Sequence, residues 1–126
     1  WLPRVTNGRY YDVNVDPGDL TMQVTEVTGQ VRQADRLSLG TTEQIYLLLR
    51  VTLSQVLSGS TETPPLIFDD VTTQSDTTRT VAVMELLHEL SSEHQVILFT
   101  QEDEVVEWAQ QHIDPSRDTI IELAEH

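Results

Sequence analysis

The first quarter of the chain has the hydrophobic pattern of β-strands. Between residues 9 and 27 apolar and polar positions alternate, interrupted by the turn sequence Asp16-Pro17-Gly18-Asp19. Period-two alternation with aromatic and β-branched residues predicts two strands, and the turn between them predicts an antiparallel hairpin. A second turn at Thr28-Gly29-Gln30 leaves residues 31–35 as a short third strand or a loop.

After residue 37 the apolar residues follow a helical period instead, and short apolar runs separate the helices. The predicted helices are 41–57, 77–90 and 102–111. The runs Leu66-Ile67-Phe68 and 96–99 are short and continuous, which predicts buried parallel strands, and 119–123 is predicted to be a last strand. Strand and helix alternate from Leu66 onward, so we expect an α/β parallel sheet. The polar segment 58–65 with two prolines is predicted to be a loop.

Two details of the helices are predicted from local patterns. Thr41, followed three positions later by Gln44, has the spacing of a capping box at the start of the first helix. In the second helix the apolar stripe predicts that several side chains face inward. They are Val81, Met84, Leu87 and His88.

Composition narrows the possible functions. The chain has 126 residues, no lysine, no cysteine and a formal charge of −14. A surface of that charge repels phosphate backbones, so this chain alone should bind nucleic acid poorly. Without cysteine it has no disulfides or thiolate metal sites, which is compatible with the cytoplasm, where we predict it to lie. The hydrophobic content of 38% and the start at Trp1 without methionine are expected of a piece of a larger protein.

Carboxylates and amides follow the two predicted parallel strands. Asp69-Asp70 ends the first strand and Thr100-Gln101 ends the second. The carboxyl ends of parallel strands lie at one edge of a sheet, where ligands of α/β proteins bind. An apolar strand that ends in a carboxylate is also the Walker B arrangement, in which that carboxylate helps to hold Mg²⁺. The alternative is a strand that simply runs into a turn.

A second candidate site precedes the first helix. Ser38-Leu39-Gly40 places a hydroxyl and a glycine next to the free N–H groups of a helix N-terminus, a combination that binds anions. Gly40 would let a partner approach the backbone closely. The alternative is that these residues are an ordinary helix cap.

The order of these motifs resembles the C-terminal lobe of an ABC-type ATPase head from coiled-coil ATPases of the SMC, RecN and YhaN-like kind. The run LSxGTxEQxYLxLR that begins at Leu37 carries most of this resemblance, and Asp69-Asp70 follows it at the expected distance. The resemblance extends from Leu37 to Leu123. It implies a P-loop NTPase-like lobe over 37–126, preceded by a β segment over 1–36 that follows a coiled coil.

The resemblance also implies roles for individual residues. Asp69 would bind the metal, Asp70 would activate water where the family has glutamate, and Gln101 would replace the switch histidine. Ser38 and Gly40 would contact ATP held by an opposite head, as would Asp76 of the D-loop-like segment 72–76. In that segment Val71 and Ser75 stand where the family has proline and leucine. Asp76 could also simply cap the next helix.

A phosphate-binding P-loop needs a lysine, so an N-terminal lobe of the same parent chain would have to supply it. The implied cofactors are ATP and Mg²⁺, and the implied partners are that lobe, a second head in a homodimer, and DNA bound elsewhere on the parent. The implied activity is ATP hydrolysis in DNA repair or chromosome maintenance, and this chain alone should be inactive. No membrane segment is expected.

Two other functions are open at this point. The charge of −14 is also typical of an acidic, non-enzymatic interaction or regulatory domain. A stand-alone Mg²⁺-dependent phosphohydrolase could use Asp69, Asp70 and Asp76, although no nucleophile motif accompanies them. The four histidines have no spacing typical of zinc ligands.

Overall fold

The computed structural model describes residues 1–57 and 63–123. A short helix, α1 (Leu2–Val5), precedes the predicted hairpin, whose strands are β1 (Tyr10–Val15) and β2 (Met22–Glu26). They pair antiparallel, and β3 (Val31–Gln33) adds antiparallel to β2, so the sheet has the order β1-β2-β3. The hairpin is thus confirmed, and the segment after it is a strand. One turn of 3₁₀ helix, Ala34–Arg36, leads on to the longest helix.

The remaining elements alternate between helix and strand, as the α/β pattern predicted. They are α2 (Leu39–Leu57), β4 (Leu66–Asp69), α3 (Thr77–Leu90), β5 (Val96–Phe99) and α4 (Asp103–His112). The two strands pair in parallel, with Leu66 opposite Val96 and Asp69 opposite Phe99. Because α3 forms the crossover, the carboxyl ends of both strands lie at one edge, just before the loops that lead into α3 and α4.

Two hydrophobic clusters hold these elements together. The smaller one joins the hairpin to the first turns of α2 and contains Tyr10, Met22, Val24 and Ile45. The larger one lies between α1, α2, α3 and the inner face of β4. Its members are Val5, Leu47, Val51, Leu66, Phe68, Ala82, Val83, Leu86, Leu87 and Leu90. Since α2 contributes to both clusters, it connects the antiparallel sheet to the parallel one.

The parallel strands are less buried than their apolar sequences predicted. Ile67 is 62% exposed and Phe99 is 47% exposed, whereas Phe68 is only 8% exposed. The expectation of strands buried on both faces is therefore wrong for this chain, because the core covers one face of the two-stranded sheet and the other faces outward. That outer face is an apolar surface that another part of a larger protein could cover.

Two further expectations, for residues 119–123 and for His88, are wrong, and the predicted loop 58–65 lies partly outside the described residues. Residues 119–123 do not form a strand: they pair with none of the described strands, and Ile121 is 75% exposed. His88 is exposed, and its ring packs edge-on against Trp108 of α4 with centroids 5.9 Å apart, whereas Met84 and Leu87 face the core as predicted. Of the predicted loop, 58–62 lie outside the described residues, and 63–65 are coil.

Among the helices described here, none has the length and hydrophobicity of a membrane span.

A buried carboxylate at the end of β2 makes the stability of the sheet depend on pH. Glu26 is 8% exposed and forms ion pairs with Arg32, at 2.5 Å, and with Arg9, at 3.4 Å. Burial by itself raises the pKa of Glu26, but the hydrogen bond and the charge of Arg32, with help from Arg9, outweigh it and lower the pKa. Ionised Glu26 therefore stabilises the fold above its unfolded pKa, and this contribution is lost as the pH falls through the lower folded value.

We expect Glu26→Gln to lower the melting temperature at neutral pH and to make a progressively smaller difference as the solution becomes acidic. Thermal unfolding of both proteins across the acidic range measures this. The matched control is Glu43→Gln, since Glu43 is an exposed residue of α2. A melting-temperature difference that stays constant down to low pH would contradict the assignment of the stabilising charge to Glu26.

Candidate functional site

The carboxyl ends of β4 and β5 bring together two of the residues singled out in the sequence. Both oxygens of the Asp70 carboxylate face Gln101: Oδ1 accepts from its backbone N–H at 3.3 Å, and Oδ2 accepts from its side-chain amide at 3.4 Å. The backbone N–H of Asp70 in turn donates to the carbonyl of Phe99 at 2.9 Å. The sequence placed both residues at this edge, and the structure confirms that they are in contact.

Asp70 also has an unusual backbone conformation. Its φ is +47°, in the left-handed region that L-residues seldom adopt and that Asp and Asn tolerate best. The turn is held by Thr73, whose hydroxyl and N–H both donate to the Asp70 carbonyl, at 2.7 and 3.4 Å. Local strain of this kind is concentrated at functional sites, and here it turns the carboxylate out of the strand and toward Gln101.

Asp69, the last residue of β4, is exposed at the same edge. In residues 1–57 and 63–123 no three His, Asp or Glu side chains are grouped so that they could hold a metal by themselves. Asp69 and Asp70 are two consecutive carboxylate residues at this edge. In a nucleotide site Mg²⁺ takes one or two protein carboxylates and completes its octahedron with phosphate oxygens and water, so these residues fit that ion.

The loop between β4 and α3 is fixed by buried hydroxyl groups. Thr72 is completely buried, and its hydroxyl donates to Oε1 of Glu102 at 2.6 Å. The N–H of Ser75 donates to the carbonyl of Thr72 at 2.8 Å. Glu102 is the N-cap residue of α4, so this loop is tied to the segment that follows Gln101. The two loops at the edge of the sheet therefore form one hydrogen-bonded unit.

The start of α2 differs from the predicted capping box. Ser38 immediately precedes the helix, and its hydroxyl accepts from the N–H of Thr41 at 3.4 Å and lies 2.8 Å from the Thr41 hydroxyl. Ser38 is therefore the capping residue, and Thr41 lies inside the helix. Gln44, expected to complete the box, donates to the Ser75 hydroxyl at 3.0 Å. The capping-box prediction is wrong by one turn, because both Ser and Thr are good N-caps and the sequence does not distinguish them.

Gly40 is needed where α2 meets the loop after β4. A β-carbon built on Gly40 would lie 2.2 Å from the carbonyl oxygen of Gln74, and backbone cannot move aside as a side chain can. The sequence predicted a close approach to the backbone at Gly40, and the group that makes it is the Gln74 carbonyl of this same chain. Gly40 and Gln74, together with the hydrogen bond from Gln44 to Ser75, dock the Ser38 end of α2 directly onto the segment that carries Asp76.

Asp76 and Arg79 complete this second cluster. Asp76 is the N-cap of α3, and its Oδ1 accepts from the N–H of Arg79 at 3.0 Å. The guanidinium of Arg79 lies 3.4 Å from Oδ2 of Asp76 and donates through Nη1 to the Thr41 hydroxyl at 3.2 Å. Asp76 does cap its helix, one of the two roles considered from the sequence, and its side chain is still 56% exposed.

The predicted site residues therefore fall into two clusters, joined by the loop 70–76. One contains Asp70 and Gln101, with Asp69 beside them, and the other contains Ser38, Gly40 and Asp76. Sequence reasoning missed the residues that connect these parts. They are Thr72, Gln74, Ser75, Arg79 and Glu102. Three of them lie in the D-loop-like segment 72–76, and Arg79 lies three positions after the capping Asp76, but no local pattern predicted the contacts they make.

Comparisons with known proteins agree with the arrangement of these elements. No family model matches the chain. It is 30% identical to the protein YhaN of Bacillus subtilis over 102 residues, which are 80% of this chain and 10% of YhaN. Among solved structures, an SMC ATPase described for ATP-driven dimerization superposes with a TM-score of 0.66 at 19% identity, over 82% of this chain and 64% of that one.

Heads of archaeal SMC proteins superpose equally well. The Smc head domain of Pyrococcus furiosus, bound to the C-terminal domain of ScpA, gives a TM-score of 0.65 at 16% identity. The match covers 84% of this chain and 27% of that chain, which includes an extended coiled coil. The Smc head of Pyrococcus yayanosii gives 0.65 at 19% identity, over 84% of this chain and 21% of that one.

These matches define the fold of the chain. The chain has the α/β fold of an SMC-type ATPase head. The resemblance to SMC and YhaN-like ATPase heads, inferred from the motifs, is confirmed. The chain spans about 10% of the length of YhaN and less than two thirds of each of these solved chains.

Proposed function

We propose that this chain is the C-terminal lobe of an ATP-binding and ATP-hydrolysing head in an SMC-like protein, with ATP held between two such heads. In this proposal residues 37–126 form the ABC-type lobe, and residues 1–36 form the β segment that follows a coiled coil. The observation that carries the proposal is the contact between Asp70 and Gln101 at the carboxyl edge of a parallel strand pair. Docking of the Ser38 helix onto the intervening loop supports it independently.

The cluster at the sheet edge has the chemistry that hydrolysis requires. The left-handed backbone conformation of Asp70 directs its carboxylate away from the strand. This carboxylate would accept a proton from the water that attacks the γ-phosphate, or would orient that water. Gln101 already holds both carboxylate oxygens, and its amide can donate to water or phosphate without changing its own protonation state. Asp69 would bind Mg²⁺ together with the nucleotide, and the ion would neutralise charge on the phosphates.

The second cluster fits contact with ATP on an opposite head. Ser38 is exposed at the free end of α2, where its hydroxyl and the first N–H groups of the helix can reach an anion from outside the chain. Gly40 positions this helix end by its close contact with Gln74. Asp76, capping α3 but largely exposed, would cross to the second head. Ser38 and Asp76 would therefore act in trans, and Gly40 would hold the helix end from which Ser38 does so.

Several parts of the site would come from elsewhere in the parent protein. Without lysine this chain has no Walker A side chain, so an N-terminal lobe of the same parent would supply the P-loop. The exposed face with Ile67 and Phe99 is a suitable surface for that lobe. With a charge of −14, contact with DNA would be made by other regions of the parent. We propose a cytoplasmic role in DNA repair or chromosome maintenance.

The experiment that tests the proposal is ATP-dependent dimerisation of the full-length parent with Ser38→Arg. We expect the unaltered protein to dimerise when ATP is bound and hydrolysis is slowed. The variant should remain monomeric, because arginine fills the space where the second head's nucleotide must approach. Sedimentation or light scattering measures this. Gln110→Arg, which adds the same charge at an exposed position of α4, is the control and should dimerise normally.

Dimerisation of Ser38→Arg at the level of the control would mean that Ser38 is only a helix cap. A full-length protein that neither dimerises with ATP nor hydrolyses it would contradict the proposed function. Tight, salt-sensitive binding of that inactive protein to a basic partner would then favour the acidic interaction domain.

A further inference from the structure

Arg79 is the most enclosed of the arginines that form ion pairs in the described residues. Its side chain is 17% exposed, whereas those of Arg4, Arg9, Arg32 and Arg117 are 41% to 55% exposed. Its Nε is buried and makes no hydrogen bond, although it lies at ion-pair distance, 3.4 Å, from Asp76. Burying a guanidinium whose Nε makes no hydrogen bond costs free energy, so stability alone does not explain the position of Arg79.

The side chain of Arg79 donates a hydrogen bond to the hydroxyl of Thr41, and this bond decides which of two neighbouring hydroxyl groups is the donor. The Ser38 and Thr41 hydroxyls lie 2.8 Å apart, and either could donate to the other. Nη1 of Arg79 donates to Thr41 Oγ1, so the Thr41 oxygen is an acceptor on that side. The positive charge also repels the Thr41 hydroxyl proton, which is thereby directed away from Arg79 and toward Ser38.

We propose that Arg79 is a positioning residue that orients the hydroxyl of Ser38 through Thr41. Arg79 donates to Thr41, and Thr41 donates to Ser38. Ser38 Oγ then accepts from the hydroxyl of Thr41 and more weakly from its N–H, at 3.4 Å. Within residues 1–57 and 63–123 no acceptor is then placed for the hydroxyl proton of the exposed Ser38, so this proton would be free to donate to a phosphate oxygen. The inference rests on the proposed role of Ser38 toward ATP on the opposite head.

The same guanidinium also faces Asp76, which is proposed to cross to the opposite head. Arg79 therefore touches both the Ser38 end of α2 and the aspartate of the loop after β4. A single side chain would thus set the orientation of two groups that meet the second head. Loss of Arg79 should weaken head pairing through both, without touching the residues of the Asp70 cluster.

The test compares ATP-dependent dimerisation of the full-length parent in four variants: Arg79→Met, Thr41→Val, Thr41→Ser and the Arg79→Met/Thr41→Val double variant. Methionine keeps much of the apolar volume of arginine without its charge, valine matches the shape of threonine without the hydroxyl, and serine restores that hydroxyl. Loss of a hydrogen bond from a charged group predicts dimerisation about tenfold to a hundredfold weaker in Arg79→Met. Thr41→Val should also be weakened, and Thr41→Ser should be close to the unaltered protein.

The double variant separates this relay from two independent structural effects. If Arg79 orients Ser38 through Thr41, the double variant should dimerise as strongly as whichever single variant dimerises less strongly. Losses that multiply, or Arg79→Met dimerising as well as the unaltered protein, would overturn the inference. If Arg79→Met pairs normally and Ser38→Arg does not pair, the positioning role of Arg79 is overturned but the proposed function is not. An unaltered protein that does not pair with ATP would overturn both.

Discussion

Asp70→Asn in the full-length parent is expected to lower steady-state ATP turnover by a factor of about 10² to 10⁴, the usual contribution of a general base. Asparagine is nearly isosteric with aspartate and tolerates the left-handed φ of +47° almost as well, so the loop should keep its conformation. What is lost is the ability to accept a proton from water. ATP binding should persist, and the variant should accumulate as an ATP-bound dimer.

Turnover and ATP-dependent dimerisation of this variant, measured side by side, distinguish loss of chemistry from loss of binding. Asp12→Asn is the matched control, because Asp12 is an exposed carboxylate on β1, away from the sheet edge. It should hydrolyse ATP at the unaltered rate. Turnover in Asp70→Asn equal to that of the control would show that Asp70 does not act on the attacking water.

Gly40→Ala should clearly lower the stability of the fold. The added carbon would lie 2.2 Å from the Gln74 carbonyl oxygen, so the helix and the loop must separate. Overpacking of a close contact typically costs about 1 to 3 kcal/mol and occasionally more, and we expect the upper part of that range because the neighbour is backbone. The hydrogen bond from Gln44 to Ser75 depends on the same contact and should weaken too.

Urea unfolding of the 126-residue chain measures this effect. Gly18→Ala is the control: Gly18 has no positive φ, and an added carbon would lie 3.1 Å from the end of the Asp16 side chain, which can move. Its free energy of unfolding should change by less than about 1 kcal/mol. A Gly40→Ala variant as stable as this control would contradict the tight docking of α2 on the loop.

The sequence was most informative where a local pattern determines the structure. Alternation and a Pro-Gly turn were sufficient for the hairpin, and the apolar run before Asp69-Asp70 predicted a parallel strand. Because parallel strands end at one edge, the sequence also placed Asp70 and Gln101 at the same edge of the sheet, and the structure added the contact between them. The roles of these residues, and of Ser38, Gly40 and Asp76, remain predictions.

The errors arose where the structure depends on distant partners. Residues 119–123 are apolar enough for a strand, but a strand needs a neighbour to pair with, and periodicity does not reveal whether one is present. Ile67 and Phe99 look like core residues by sequence, yet one face of their sheet is uncovered. The contacts from Gly40 to Gln74 and from Arg79 to Thr41 join segments more than 30 positions apart. No local pattern signals such contacts.

The most direct test of an ATP site shared between two heads is a mixing experiment with the full-length parent. Ser38→Arg and Asp70→Asn should each be inactive alone. In a mixed pair, one of the two sites combines an intact Asp70 from the first head with an intact Ser38 from the second. Each mixed pair has this one working site, so turnover on mixing should rise above that of either variant alone, in proportion to the number of mixed pairs that form. Full turnover by Ser38→Arg alone, or no recovery on mixing although mixed dimers form, would contradict a site that needs both heads.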